Sequence, residues 1–377
     1  MCRMWGKHDD LIVHEHEPFN AEPAPHALAR AATTGYGDFY VRNHGRVPVV
    51  DPDRWSLVVD GLVGRELRLP LAELRRFEHH EVVASLQCAG NRRSGLSRVH
   101  DVPGHQWGAG ATSTACWKGV RLADVLARAG IAADAAHVEF EAPDVAEEAS
   151  PPQRFGCSIP LAKAVSGEVL LAWEMNGDPL PRVHGAPVRV IVPGYIGARS
   201  VKWVDRVSVR SRPSQNFFQA VAYRLLPADA GAAGGGVPLG PIAVNSAILA
   251  PGDGAVLPPG RTTVRGYALA GDGRGVARVE VSVDGGAGWQ QAELAEQPSP
   301  WTWRPWRAEV ELPPGEVEIV SRAWDTAAAV QPEQEANLWN PKGYFNNAWF
   351  RTTVTCVDRD RTVRARSQSG LTERHDE

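Results

Sequence analysis

Apolar residues recur along this chain with two different periods, and the change of period divides it. Between Arg121 and Gly130, Leu122, Val125, Leu126 and Ala129 fall at i, i+3, i+4 and i+7. That spacing predicts an amphipathic helix, which Gly130 ends. Residues 55–59, 82–86, 137–140 and 188–192 read as strands around it, so the first part of the chain is expected to be α+β. Further on the period becomes two. Val279, Val281 and Val283 alternate up to the turn Asp284-Gly285-Gly286, Trp306, Ala308, Val310 and Leu312 alternate up to Pro313-Pro314-Gly315, and Val317 and Ile319 resume. Short alternating strands between turn signals predict a β-sandwich. Glycine and alanine thicken between Pro227 and Pro238 without any apolar period, which reads as a linker. The expected organisation is a catalytic domain over 1–226 with an N-terminal extension, a linker over 227–241, an all-β domain over 242–357 and a mobile charged tail over 358–377.

At 377 residues the chain is long for a single core, which agrees with two domains. Apolar residues make up 43% and charged residues 22%, the balance of an ordinary globular protein. A net charge of −4 argues against a nucleic-acid partner. No apolar run is long enough for a membrane span. The start of the chain turns acidic at Asp9-Asp10 before any apolar stretch, so no export signal is expected. Cys2, Cys88, Cys116, Cys157 and Cys356 have neither pairing nor metal-finger spacing. A reducing cytoplasm is the expected location.

The chemistry concentrates in four polar segments. Cys88 stands in Ser85-Leu86-Gln87-Cys88-Ala89-Gly90-Asn91-Arg92-Arg93, a thiol on a glycine-permitted turn followed by two cations. Thiolates are the ligands that soft metals select, and neighbouring cations favour the ligating form. The other segments are Phe39-Tyr40-Val41-Arg42-Asn43-His44-Gly45, the turn-rich run from Asn176 to Arg189, and Gly194-Tyr195-Ile196-Gly197-Ala198-Arg199-Ser200-Val201-Lys202-Trp203. Arg, Lys, His and Asn beside glycines suit a large phosphate-bearing cofactor. His79-His80 and His14-Glu15-His16 lack ligand spacing, and Cys116 and Cys157 read as core residues. Trp301, Trp303 and Trp306 are expected in the sandwich core and at the domain interface.

These segments, with Glu17-Pro18-Phe19-Asn20-Ala21-Glu22-Pro23, resemble the sulfite oxidase family of molybdenum enzymes, most closely its haem-free plant-type and bacterial members. The resemblance implies a molybdopterin-binding α+β domain of the sulfite oxidase fold, followed by an immunoglobulin-like sandwich that forms a homodimer. It implies oxidation of sulfite to sulfate by oxygen-atom transfer, with molybdenum and molybdopterin and no haem. Electrons would pass to oxygen or to a separate carrier of the cytochrome c kind. By position, Cys88 resembles the metal ligand. Arg42, Tyr223, Arg93 and Trp107 resemble the substrate pocket. Tyr40, Asn43, His44, Asp144, His184, Arg189, Gly197, Arg199, Ser200 and Lys202 resemble the cofactor cradle.

Two positions depart from the family. Ala222 stands where an aspartate usually precedes the tyrosine. In Trp339-Asn340-Pro341-Lys342-Gly343, Lys342 replaces a pocket arginine. Lysine keeps the charge and loses the planar fork, so weaker sulfite binding is expected, improved by Lys342→Arg. The alternatives are another small oxyanion such as nitrate, a cofactor-binding protein without turnover, and a cysteine hydrolase built on Cys88 and His184.

Overall fold

The computed structural model describes residues 4–230 and 235–358. Apart from Asp358, the expected charged tail lies outside the described residues.

Among the described residues, the first domain is built on two five-stranded sheets. One runs Leu67–Pro70, Ser56–Gly61, Arg206–Arg210, His137–Ala146, Gln153–Pro160, with Ser56–Gly61 and Arg206–Arg210 parallel and the other neighbours antiparallel. The other runs Asp178–Pro179, Leu170–Met175, Thr112–Arg121, His80–Gln87, with Arg189–Ile191 also paired to Leu170–Met175. The helical stripe forms the helix Leu122–Ala129, whose Leu122, Val125, Leu126 and Ala129 are all buried. Gly130 stops it at φ +75°, its N–H reaching the Leu126 carbonyl at 3.0 Å.

The second domain is two packed sheets. Asn245–Ala250, Gly260–Leu269, Arg304–Leu312 and Glu293–Leu294 form one. Ala255–Leu257, Phe350–Cys356, Gly315–Asp325, Val276–Ser282 and Gln290–Gln291 form the other. The residues picked out by alternation, Val279, Val281, Trp306, Ala308, Val310, Leu312, Val317 and Ile319, point into one shared core. Each of the valine, leucine and isoleucine side chains among them contributes roughly 1.5–3 kcal/mol for full burial.

The two domains are stitched together more tightly than a linker implies. Tyr267, Leu269 and Trp303 of the sandwich lie in the same apolar core as Leu28, Trp55 and Leu126. The Trp303 indole donates to the Ala32 carbonyl at 2.6 Å, and the Tyr267 hydroxyl to the Ala109 carbonyl at 3.0 Å. The end of the glycine-rich segment is anchored too. Val237–Pro238 pairs with Arg224–Leu225, and Leu239 is buried.

Candidate active site and cofactor cleft

A cleft enclosing about 680 Å³ opens on the first domain, lined by residues from all four chemical segments. Cys88 enters it because the strand His80–Gln87 ends there. The Cys88 N–H is held by the Ala111 carbonyl at 2.9 Å, and its sulfur receives the Gly90 N–H at 3.4 Å. The segment bearing Tyr40, Arg42, Asn43 and His44 is pinned by the reciprocal bonds of Val41 and Ala21, at 2.8 and 3.0 Å. Asn43 is immobilised: its backbone N–H donates to Asn20 Oδ1 at 2.7 Å and its Nδ2 to the Phe19 carbonyl at 2.7 Å. Gly197 must be glycine, because a Cβ there would lie 2.6 Å from the Tyr40 hydroxyl.

Cations crowd the inner end. Lys202 donates to the Arg42 carbonyl at 3.0 Å, the Val183 carbonyl at 3.2 Å and the Asn43 amide oxygen. Burial, with Arg189 and Arg42 against the pull of Asp144, holds its ammonium well below the usual lysine range. Arg189 spends Nη1 on the His184 carbonyl (3.0 Å) and Nη2 on that of Ser200 (2.9 Å), and burial lowers it to about 10. Among the described residues, its Nε has no hydrogen-bond partner, and neither has Asp144 Oδ1. Burial raises Asp144 to about 6 against the neighbouring Lys202. Buried cations without matching anions, and orphaned polar atoms on the cleft wall, suit an anionic ligand with hydrogen-bonding edges. A phosphate-bearing pterin fits that donor set, and Cys88 offers the soft ligand atom.

At the outer end the Tyr223 hydroxyl lies 2.7 Å from His44 Nε2. Tyr223 follows the π-helical turn Phe218–Ala222 and stacks on Tyr344 with ring centroids 5.5 Å apart. Burial pushes its hydroxyl well above the usual tyrosine range, opposed by Arg42. Burial and the Arg42 charge lower His44 to about 4, partly offset by Glu148. The unfolded imidazole binds a proton near pH 6.5, so the folded protein holds fewer protons between pH 6.5 and 4 and loses stability as pH falls through that window. The expected loss from this one group between pH 7 and pH 5 is about 2 kcal/mol. His44→Gln should shrink the drop in thermal midpoint between those two pH values; an unchanged drop would refute the assignment.

The cleft gathers Cys88, Tyr40, Arg42, Asn43, His44, Asp144, His184, Arg189, Gly197, Ser200, Lys202 and Tyr223, but four expected site residues lie elsewhere. Trp107 is fully buried behind the Cys88 loop, its ring 4.4 Å from that of His14. Arg93 donates to the Gly343 and His105 carbonyls at 3.3 and 3.0 Å, and its guanidinium lies 5.3 Å over Tyr344. It acts one layer behind Tyr223. Arg199 spends Nε and Nη2 on the Leu239 carbonyl, at 3.0 and 2.8 Å, and so braces the end of the presumed linker. Lys342 donates to the carbonyls of Val221 and Ala222, tying down the turn that precedes Tyr223. It supports the tyrosine from outside the pocket, which corrects the expectation for Lys342→Arg. That variant should leave the KM for the oxyanion substrate that the resemblance implies within about twofold. A tenfold fall would return the side chain to the substrate pocket.

The first cation after Cys88 also has another task than the sequence suggested. Arg92 points away from the sulfur, into the sandwich.

Several site residues escaped sequence reasoning. Lys7 is buried and donates to the Tyr36 and Phe39 carbonyls at 2.6 and 2.8 Å; its Nζ also lies 2.7 Å from His184 Nε2. A lone lysine near the start of the chain carries no local signal. With Lys7 at Nε2, His184 braces the cradle rather than serving as a hydrolase base. Tyr344, two residues past Lys342, and Glu148, on the turn that follows the strand carrying Asp144, were equally silent.

Comparison with known proteins gives two family matches. A profile described as oxidoreductase molybdopterin binding domain matches residues 44–218, and one described as Mo-co oxidoreductase dimerisation domain matches residues 239–357. The chain is 45% identical over 366 residues to mitochondrial sulfite oxidase of Mus musculus, covering 93% of this chain and 66% of that protein. It is 38% identical over 372 residues to sulfite oxidase of Arabidopsis thaliana, covering 92% of this chain and 94% of that protein. The crystal structure of the sulfane dehydrogenase SoxCD from Paracoccus pantotrophus superposes with a TM-score of 0.79 at 26% identity, over 91% of this chain and 86% of that one.

Proposed function

Because the chain belongs to the sulfite oxidase family of molybdopterin-dependent oxidoreductases, we propose that it oxidises sulfite to sulfate by oxygen-atom transfer. The observation that carries this reading is one cleft holding a thiol, Cys88, an arginine, Arg42, and a tyrosine hydroxyl, Tyr223, beside a buried cationic cradle. Sulfite and water give sulfate, two protons and two electrons. A molybdenum atom on the pterin would supply the oxygen transfer and take up the electron pair.

The chain's own residues do the rest. Cys88 would hold the metal. His184, Arg189, Ser200, Lys202 and Asn43, with the backbone at Gly197, would hold the pterin and its phosphate. Arg42 presents a planar fork of donors that suits both the entering and the leaving oxyanion. Tyr223 holds or moves a proton at its phenolic oxygen. Phe39, Leu86 and Phe155 line the cleft and limit water.

Arg42, Arg189 and Lys202 face Asp144, the one acid among the described lining residues. The cleft is therefore cationic in a chain of net charge −4, which concentrates an anionic substrate.

Metal and pterin analysis of the purified protein, followed by anaerobic addition of sulfite, tests the reading. Bleaching of the metal-linked absorbance is expected. Nitrate turnover in its place would move the activity to another oxyanion, and a silent spectrum in metal-loaded protein would favour a cofactor carrier. The same proposal includes a homodimer through the immunoglobulin-like sandwich, a cytoplasmic location, and electron transfer to oxygen or a cytochrome c-like carrier. The match of residues 239–357 to a dimerisation domain supports the first of these.

A further inference from the structure

Sulfite oxidation releases two protons inside a cleft whose walls are largely apolar or cationic, so those protons need a way out. Tyr223 is buried, and its hydroxyl lies 2.7 Å from His44 Nε2. The opposite ring nitrogen, Nδ1, is hydrogen-bonded to the Glu148 carboxylate. The side chain of Glu148 is 48% exposed, that of His44 only 9%. Phe155 and Phe218, whose own rings lie 4.4 Å apart, both pack against the imidazole, with ring centroids at 5.5 and 4.4 Å from it. Tyrosine, histidine and glutamate thus form one continuous hydrogen-bonded line from the cleft to solvent.

We propose that Tyr223, His44 and Glu148 are a proton exit from the active site, with Glu148 as its solvent-facing end. The inference rests on the reading that the protein oxidises sulfite. As the Tyr223 O–H bond breaks, a new H–Nε2 bond forms on His44. The Nδ1–H bond breaks in turn and the proton passes to Glu148, then to water. Tyr223 regains a proton from the substrate side, so no group along the line ends with a changed charge and no electrons move through it. The electron pair leaves separately, to oxygen or a one-electron carrier.

Each passage carries one proton and leaves His44 in its other tautomer, and the ring regains Nδ1–H and loses the Nε2 proton by exchange with water before the next passage. Arg42 Nη2, 3.0 Å from Nδ1, is the donor that stabilises that form. The ring therefore has a partner in both states: Glu148 accepts from a protonated Nδ1, and Arg42 donates to a bare one. The remaining charge on His44 is that of Lys202, which also disfavours the doubly protonated ring. Burial alone would raise Glu148, but His44 and Arg42 hold it below the usual carboxylate range, so a proton arriving there is released readily. Glu148 is a positioning and relay residue outside the lining of the cleft.

Glu148→Gln in the full-length holoenzyme tests the inference. Glutamine keeps the size and can accept from Nδ1–H, but it does not take the proton. The expected result is a kcat at least about fivefold lower with KM unchanged, a larger D₂O effect on kcat, and partial rescue by acetate buffer. Nitrogen-15 NMR of the His44 ring gives a readout independent of turnover. Without the carboxylate, the tautomer should shift toward Nε2–H with Nδ1 bare. An unchanged kcat, isotope effect and tautomer would overturn the inference. A lower KM at unchanged kcat would overturn it too, since Glu148 would then only repel the incoming anion. If the protein does not turn over sulfite at all, the tautomer measurement still decides whether the line exists, so the two failures are distinguishable.

Discussion

Cys88→Ser should lower sulfite oxidation at least about 100-fold, beyond the range of changes one shell out from a metal. The reason is chemical. Cys88 is nearly buried at the meeting point of the cradle and the outer pocket, where its thiolate offers a soft ligand. A serine oxygen of almost the same size is hard and is not ionised near neutral pH. The pterin cradle lies elsewhere in the cleft, so pterin content should survive while turnover falls. Turnover per bound pterin, with the visible spectrum, is the measurement. Full activity in the serine variant would remove the basis for placing a metal at this residue.

Arg92→Met should destabilise the protein by about 3 kcal/mol without changing the KM for sulfite in the enzyme that remains folded. Arg92 is buried, with Nη1 donating to the Ser246 and Ala348 carbonyls at 3.3 and 2.8 Å and Nη2 to that of Trp349 at 3.2 Å. Its guanidinium also lies 4.9 Å over Phe350. Burial lowers it to about 10, so it stays charged at neutral pH. Methionine fills part of the volume and removes one donor from each of three carbonyls, of which Ala348 still accepts from Gln331 Nε2 at 2.9 Å. The thermal midpoint should fall by roughly 5 °C or more. A raised KM at unchanged midpoint would instead make Arg92 a substrate residue.

Much of the cleft was legible because its chemistry is written in short segments. Arg42, Asn43 and His44 are consecutive, and Gly197, Ser200 and Lys202 fall within six residues, so placing one member of each group places the rest. The helix Leu122–Ala129 and the alternating strands of the sandwich were legible for a similar reason: a period of 3.6 or 2 is a local property of the chain. Lys342 and Arg199 misled because a charge beside a motif resembles a ligand, while their partners, Val221, Ala222 and Leu239, are remote in sequence. Glu148 was missed because an acid on a polar loop has no pattern of its own. Only the approach of His44 from 104 residues away gives it a role.

The sequence by itself determined the chemical inventory: a soft sulfur, a surplus of local cations, a tyrosine, and two domains with different periods. Those properties belong to residue types and near neighbours, and folding does not alter them. Tertiary structure decided direction. Arg92 and Arg93 are adjacent and chemically identical, yet one locks onto Ala348, 256 residues away, and the other lies over Tyr344, which stacks on Tyr223. Backbone carbonyls gathered from distant segments select the orientation of a buried guanidinium, and local sequence holds no record of which carbonyls will be there.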